Sequence, residues 1–131
     1  MGSRLSIRML GLLLLGLAVL VPTAACASVP ADIEGTWRVA GDDGQGFHWM
    51  KEITLSGASY EMQGYPPIAA TADISAAENV GERTWKLTLS NYVFNTDPRE
   101  DEVIEVVLSE DGKTLEINGE AYSKVEPVET P

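Results

Sequence analysis

Few side chains in this 131-residue sequence suit bond-making chemistry. His48 is the only histidine and Cys26 the only cysteine. A zinc site wants three or four nitrogen or sulfur ligands, more than these two residues supply. His48 stands between Phe47 and Trp49 and reads as a loop or strand residue rather than a base or a ligand. No Ser-His-Asp set can be assembled without committing that one histidine, and nothing marks a nucleophile. No glycine-rich phosphate loop leads into a helix. Gly41-Asp42-Asp43-Gly44-Gln45-Gly46 is acidic but lacks the alternating Asp spacing of a calcium loop. Asp97 to Glu102 sets four acids around Arg99 and reads as a solvated turn. The expectation is a non-enzyme with no catalytic residue, no metal and no cofactor.

The start of the chain has the order of an export signal. Arg4 and Arg8 precede thirteen apolar or Gly residues, Met9 to Val21, and Pro22-Thr23-Ala24-Ala25-Cys26-Ala27 adds a helix breaker and small residues. Thirteen helical residues cover about 20 Å, short of a hydrocarbon core of about 30 Å. Two cleavage patterns fit. Ala25-Cys26-Ala27 is an A-x-A site that would start the mature chain at Ser28. Thr23-Ala24-Ala25-Cys26 resembles the lipobox of bacterial lipoproteins, which implies cleavage before Cys26 and diacylglycerol on its sulfur; this reading is favoured. Residues 1–27 are thus read as signal, 28–32 as a tether, 33–125 as the domain and 126–131 as a disordered, proline-bearing tail. The expected location is the bacterial cell envelope, lipid-anchored, or the exterior.

The sequence carries a net charge of −11. Without Arg4 and Arg8, seven basic residues face 20 acidic ones, a net of −13. Nucleic acid and anionic membrane surfaces repel such a chain, leaving the membrane reachable only through a lipid on Cys26. Cationic partners are attracted. A single cysteine allows no internal disulfide, so the domain must be held by its core.

That core is written in period two. Lys51-Glu52-Ile53-Thr54-Leu55, Ala58 to Met62, Ile68 to Ile74 and Thr84 to Phe94 alternate, and Glu102 to Leu108 sets Ile104, Val106 and Leu108 on one side. Ser56-Gly57 reads as a turn that sets Leu55 opposite Ala58 and Ile53 opposite Tyr60. Ile68, Ala70, Ala72 and Ile74 share a face, and these small residues admit a bulky neighbour such as Trp85. The pattern slips at Asn91-Tyr92, where a bulge would re-aim the side chains. Asn118-Gly119 between Leu115-Glu116-Ile117 and Glu120-Ala121-Tyr122 is a type I′ hairpin signal that pairs Leu115 with Tyr122. The one helical stretch, Ile74 to Asn79, is long enough for a single turn. The expectation is an all-β meander of seven or eight antiparallel strands, closed or nearly closed.

In this setting Gly35-Thr36-Trp37 resembles the G-x-W signature that opens the first strand of the lipocalin-like barrels. Leu108 to Lys124 is similar to the last two hairpins of small bacterial members, while the mid-chain Thr-Asp-Tyr signature is absent, since Pro98 follows Thr96-Asp97. The resemblance implies that Gly35, Trp37 and Lys124 close one end, with the basic residue over the indole. It also implies an interior lined or plugged by Trp37, Tyr60, Trp85, Leu87 and Tyr122, which would hold a small apolar ligand in a monomer. The Gly41–Gly46 loop, followed by Phe47, His48 and Trp49, would then be a hairpin loop or a lid at a barrel mouth. A second reading is an acidic interaction module for a cationic protein, since Ser56-Gly57-Ala58-Ser59-Tyr60 resembles the Ser-Gly-x-x-Tyr loop of lysozyme-inhibitor lipoproteins. The export reading predicts that the intact mass of the mature protein, measured from its native cells, corresponds to a lipidated Cys26 terminus or to a start at Ser28. A soluble cytoplasmic protein retaining Met1 would contradict it.

Overall fold

The computed structural model describes residues 27–126. Residues 1–26 of the signal, with its lipobox cysteine Cys26, and the tail from residue 127 lie outside the described residues.

A 3₁₀ turn (Ala31–Ile33) leads into nine strands: β1 (Gly35–Asp42), β2 (His48–Ser56), β3 (Ser59–Tyr65), β4 (Ile68–Gly81), β5 (Thr84–Phe94), β6 (Asp97–Pro98), β7 (Glu102–Leu108), β8 (Thr114–Ile117) and β9 (Glu120–Lys124). Every pairing is antiparallel. Eight strands form a ring in the order β1-β2-β3-β4-β5-β7-β8-β9 and back to β1, and the two-residue β6 hangs on the end of β5. The fold is an all-β, up-and-down barrel closed on itself, the arrangement that leaves an antiparallel sheet without free edges.

The alternating residues sort to the two faces of this wall. Trp37, Leu55, Leu87, Val106 and Leu115 point inward and are completely buried, and charged neighbours such as Glu61, Lys86, Glu105 and Glu116 stay exposed. On the outer face, Glu52 receives the Arg38 guanidinium and the Gln63 amide, bracing β1, β2 and β3. The neighbouring guanidinium holds the Glu52 carboxyl below its ordinary value against a smaller opposing effect of burial.

Four local features depart from or sharpen the sequence reading. The β2–β3 turn centres on Gly57-Ala58, and Leu55 faces Tyr60 while Ile53 faces Met62. Gly57 (φ 59°) holds the first central position of a two-residue loop, which demands the left-handed conformation that Ser56 avoids. Because the shift is two residues, the same side chains still face inward. Ile74 to Asn79 is strand, not a helical turn; tertiary pairing with β5 absorbs it, with register shifts at Ile74/Ala76 and Asn79/Gly81. Ala72 lies beside Tyr60, whereas Trp85 pairs with Asn79 at the far end of β4. Within residues 28–32, Val29 is buried and donates its N–H to Gly57 O at 2.6 Å, while Ser28, Ala31 and Asp32 stay exposed.

The last hairpin has the anticipated register, Leu115 opposite Tyr122. Asn118 (φ 49°) and Gly119 (φ 86°) are both left-handed, as a type I′ turn requires. Asn118 also reaches across to β7, donating its N–H to Glu105 O (2.9 Å) and accepting from Glu105 N–H through Oδ1 (3.0 Å). Replacing Asn118 with Val forces a β-branched residue into positive φ and removes the side-chain acceptor. Urea denaturation should show a loss of about 1–3 kcal/mol, and an unchanged midpoint would contradict this turn.

Candidate functional site

The two ends of the ring are built differently. At the end where β1 begins, Ile33 and Trp37 are fully buried, and the Trp37 indole N–H donates to Ile33 O at 3.0 Å. Lys124 pairs with Trp37 across the β1–β9 seam and sets its ammonium 5.7 Å from the centre of the indole. Its aliphatic stem covers Gly35, whose position would bring an added Cβ within 3.7 Å of Lys124 Cε. Gly35, Trp37 and Lys124 are thus gathered at one closed end. Trp85 and Leu87 are buried in the packed interior.

The opposite end is open. A pocket of about 360 Å³ enters the barrel there. Its floor is aliphatic, with Ile53, Met62, Leu89, Ile104 and Ile117. Its walls carry Tyr60, Tyr92, Phe94 and Tyr122, its charged groups are Lys51, Glu102 and Glu120, and Asn118 adds an amide. Of the residues named from sequence as interior, Tyr60 and Tyr122 line this pocket; Trp37, Trp85 and Leu87 do not.

Two of the four rings reach the pocket because of the irregularity in β5. Leu87 and Leu89 point inward, so strict alternation would send Asn91 and Val93 inside and Tyr92 and Phe94 outside. Asn91 instead takes φ 50°, and the register against β4 jumps by one between Thr71/Val93 and Asp73/Ser90. The extra residue inverts the face of everything after it. Asn91 is exposed and anchored to Asp73 Oδ2 (2.8 Å), and Tyr92 and Phe94 turn toward the mouth. Tyr92 meets Tyr60 edge to face, with ring centres 6.3 Å apart at 83°.

A polar cluster sits against this apolar bowl. Lys51 Nζ lies 2.7 Å from Glu120 Oε1, and the Tyr122 hydroxyl donates to the same oxygen at 2.9 Å. The ammonium also stands 5.7 Å from the Tyr122 ring centre. Burial alone would lower the Lys51 ammonium, but hydrogen bonding to Glu120 and Tyr122 outweighs it and holds the group above its ordinary 10.5. The Lys51 hydrogen bond carries the Glu120 carboxyl below its ordinary 4.5, against the pull of burial. Tyr60 is 5 % exposed, and its hydroxyl has only Met62 Sδ, at 4.0 Å, for company. Burial, with smaller effects of the neighbouring Tyr92 and Tyr122 phenols and the Glu102 carboxylate, pushes the Tyr60 phenol strongly upward, so it stays protonated throughout the neutral range. The Glu102 carboxylate, on a residue that faces Leu89 in the ladder, has no hydrogen-bond or ion-pair partner among the described residues.

These three charged groups escaped the sequence reading, although the signal was present. Lys51 has the parity of Ile53 and Leu55, Glu102 that of Ile104 and Val106, and Glu120 that of Tyr122. Each is therefore an inward position filled by a charge at the mouth end of its strand. By contrast, the acidic loop before β2 does not line the pocket. Asp42 Oδ1 and Asp43 Oδ1 accept backbone N–H groups of Gly44, Gln45 and Phe47, which closes the loop on itself. His48 is exposed, 4.0 Å from Asp42 Oδ2. Among the described residues no three His, Cys, Asp or Glu side chains gather as a metal site.

The chain matches no protein-family model, no curated protein and no solved structure.

The Lys51–Glu120 pair is partly exposed, so its coupling should be modest, about 0.5–1 kcal/mol in a double-mutant cycle of Lys51→Met and Glu120→Gln at neutral pH. The lowered carboxyl makes that coupling complete above pH 4.5 and lost as pH falls through the lower folded value. The raised ammonium makes it complete below pH 10.5 and lost as pH rises above that. Chemical denaturation of the four proteins across pH checks this; a coupling that persists in strong acid would contradict the ion pair.

Proposed function

We propose that the protein is an exported, non-catalytic barrel of the lipocalin-like kind that carries a small amphiphilic molecule in its open mouth. The observation behind this reading is the pocket of about 360 Å³ with an aliphatic floor and a polar, aromatic rim. Its volume falls in the range of small-molecule sites, about 300–1,000 Å³, and near the lower bound. Barrels of eight strands are narrow enough for side chains to fill them, so an unfilled end is a feature of this sequence rather than of its strand number. The apolar floor favours a hydrocarbon or aryl body, and the hydroxyls and charges above it favour a polar end left facing water. Gly35-Thr36-Trp37 under Lys124, at the plugged end, supports the lipocalin-like assignment.

A second reading, an acidic module for a cationic protein, draws on the same end of the molecule. Phe47 and Tyr65 are exposed there (44 % and 60 %), close in sequence to Trp49 and Pro66-Pro67, which line an adjoining groove of about 340 Å³. The acids at 97 and 100–102 lie at the same end.

Titration with the neutral, environment-sensitive dye N-phenyl-1-naphthylamine separates the two. The carrier reading predicts saturable enhancement at one dye per chain. Ile68→Trp, which enlarges a half-buried rim residue of the pocket, should weaken dye binding about tenfold while the circular dichroism spectrum stays β. Absence of saturable binding by the wild-type protein would sink the carrier and favour the interaction module.

A further inference from the structure

We propose that the mouth selects a small hydrophobic ammonium ion, the apolar body on the aliphatic floor and the charged nitrogen between Glu102 and the Tyr60–Tyr92 pair. This inference rests on the carrier reading and adds the sign of the ligand's charge.

The charges inside the pocket do not cancel. Among the described residues Lys51 is the only cation lining it, and Glu120 already holds that ammonium at 2.7 Å. Glu102 is left as the remaining charge of the lining, at the first position of β7 and without a partner among the described residues. Glu100 and Asp101 follow the same rim outward, where Arg99 is the only base among the described residues. Arg99 is itself turned to an aromatic surface, its guanidinium 5.2 Å from the centre of the Phe94 ring. The mouth is therefore net negative on a chain that is net negative throughout, and an anionic head group would enter against that field.

The rings point the same way. Two of the four already carry cations of the protein itself, Lys51 over Tyr122 and Arg99 over Phe94. The edge-to-face pair of Tyr60 and Tyr92 carries none among the described residues, and the faces of such rings attract cations, most strongly where water is scarce. Tyr60 adds a buried hydroxyl with no partner better than a sulfur at 4.0 Å. A phenol oxygen accepts hydrogen bonds as well as donating one, so an ammonium N–H satisfies a group that burial has otherwise deprived of water. One cation would thus answer three features at once: an unpaired carboxylate, an unoccupied aromatic pair and a buried hydroxyl.

The test uses three probes of equal chain length, n-octylammonium, n-octanol and octanoate, displacing bound N-phenyl-1-naphthylamine from the wild-type protein at neutral pH. Octylammonium should displace the dye at about one-tenth the concentration that octanol requires, and octanoate should be the weakest. Glu102→Gln should weaken octylammonium about tenfold and reduce its advantage over octanol to less than about twofold. Glu116→Gln, which removes an exposed acid from the outer face of β8, should keep the wild-type order and so separates the local carboxylate from the general charge. Equal affinity for the three probes, or octanoate binding best, would overturn the inference and leave the carrier reading standing. Failure of the dye and of all three probes to bind would overturn both.

Discussion

A sheet of eight strands becomes a barrel only where its first and last strands meet, and in this protein that seam is short. β1 and β9 share two register pairs, Trp37 with Lys124 and Arg38 with Ser123, extended by the Val125 N–H to Thr36 O at 2.9 Å. So few backbone hydrogen bonds are a thin basis for closure. Trp37 supplies the rest from the same spot. It is fully buried, its indole N–H is satisfied by Ile33 O, and Lys124, its cross-strand neighbour, lies over its face. Opening the seam would expose a large aromatic surface and leave two sheet edges unpaired, costs that a few ladder bonds alone would not impose. Register, plug and closure therefore meet at one residue.

The asymmetry of the barrel follows from where bulk is spent. Ile33 and Trp37 fill the seam end, and Leu55, Leu87, Val106 and Leu115 complete the packed middle. Toward the other end the inward positions pass to Lys51, Glu102 and Glu120, whose charged tips stay near water rather than stacking to close the bore, with the buried rings of Tyr60 and Tyr122 beside them. The bulge at Asn91 then brings Tyr92 and Phe94 round to the wall of the space so left. A pocket arises because the same narrow barrel is overfilled with apolar bulk at one end and given charge at the other.

Much of this architecture was legible in the sequence, for a physical reason: period-two alternation, Gly and Asn at positive φ and the Asn118-Gly119 turn are local signals, and each acts within a few residues. The slip at Asn91-Tyr92 was legible too, because alternation visibly breaks there. The β2–β3 register was not, since Ser56-Gly57 and Gly57-Ala58 both offer a two-residue loop and only pairing over the full length of β3 chooses between them. Ile74 to Asn79 offered at most one helical turn in isolation, and its pairing with β5 makes it strand. The site was harder. The barrel resemblance put Trp37, Tyr60, Trp85, Leu87 and Tyr122 in the interior, yet only the closed ring separates the two that border space from the three that border other side chains. Lys51, Glu102 and Glu120 had inward parity all along. Their charge made them look like surface residues, and only at an open end does an inward charge keep contact with water.

The account stands on the burial of Trp37 at the seam, and hydrogen exchange of the three tryptophan indole protons measures it directly. If the ring is closed as described, the Trp37 indole proton exchanges only through global unfolding, with a free energy equal to that from denaturant titration, while the indole proton of half-buried Trp49 exchanges far faster. A Trp37 proton that exchanges as freely as that of Trp49 would mean that the seam opens in the native state, and the closed barrel with its single mouth would be wrong.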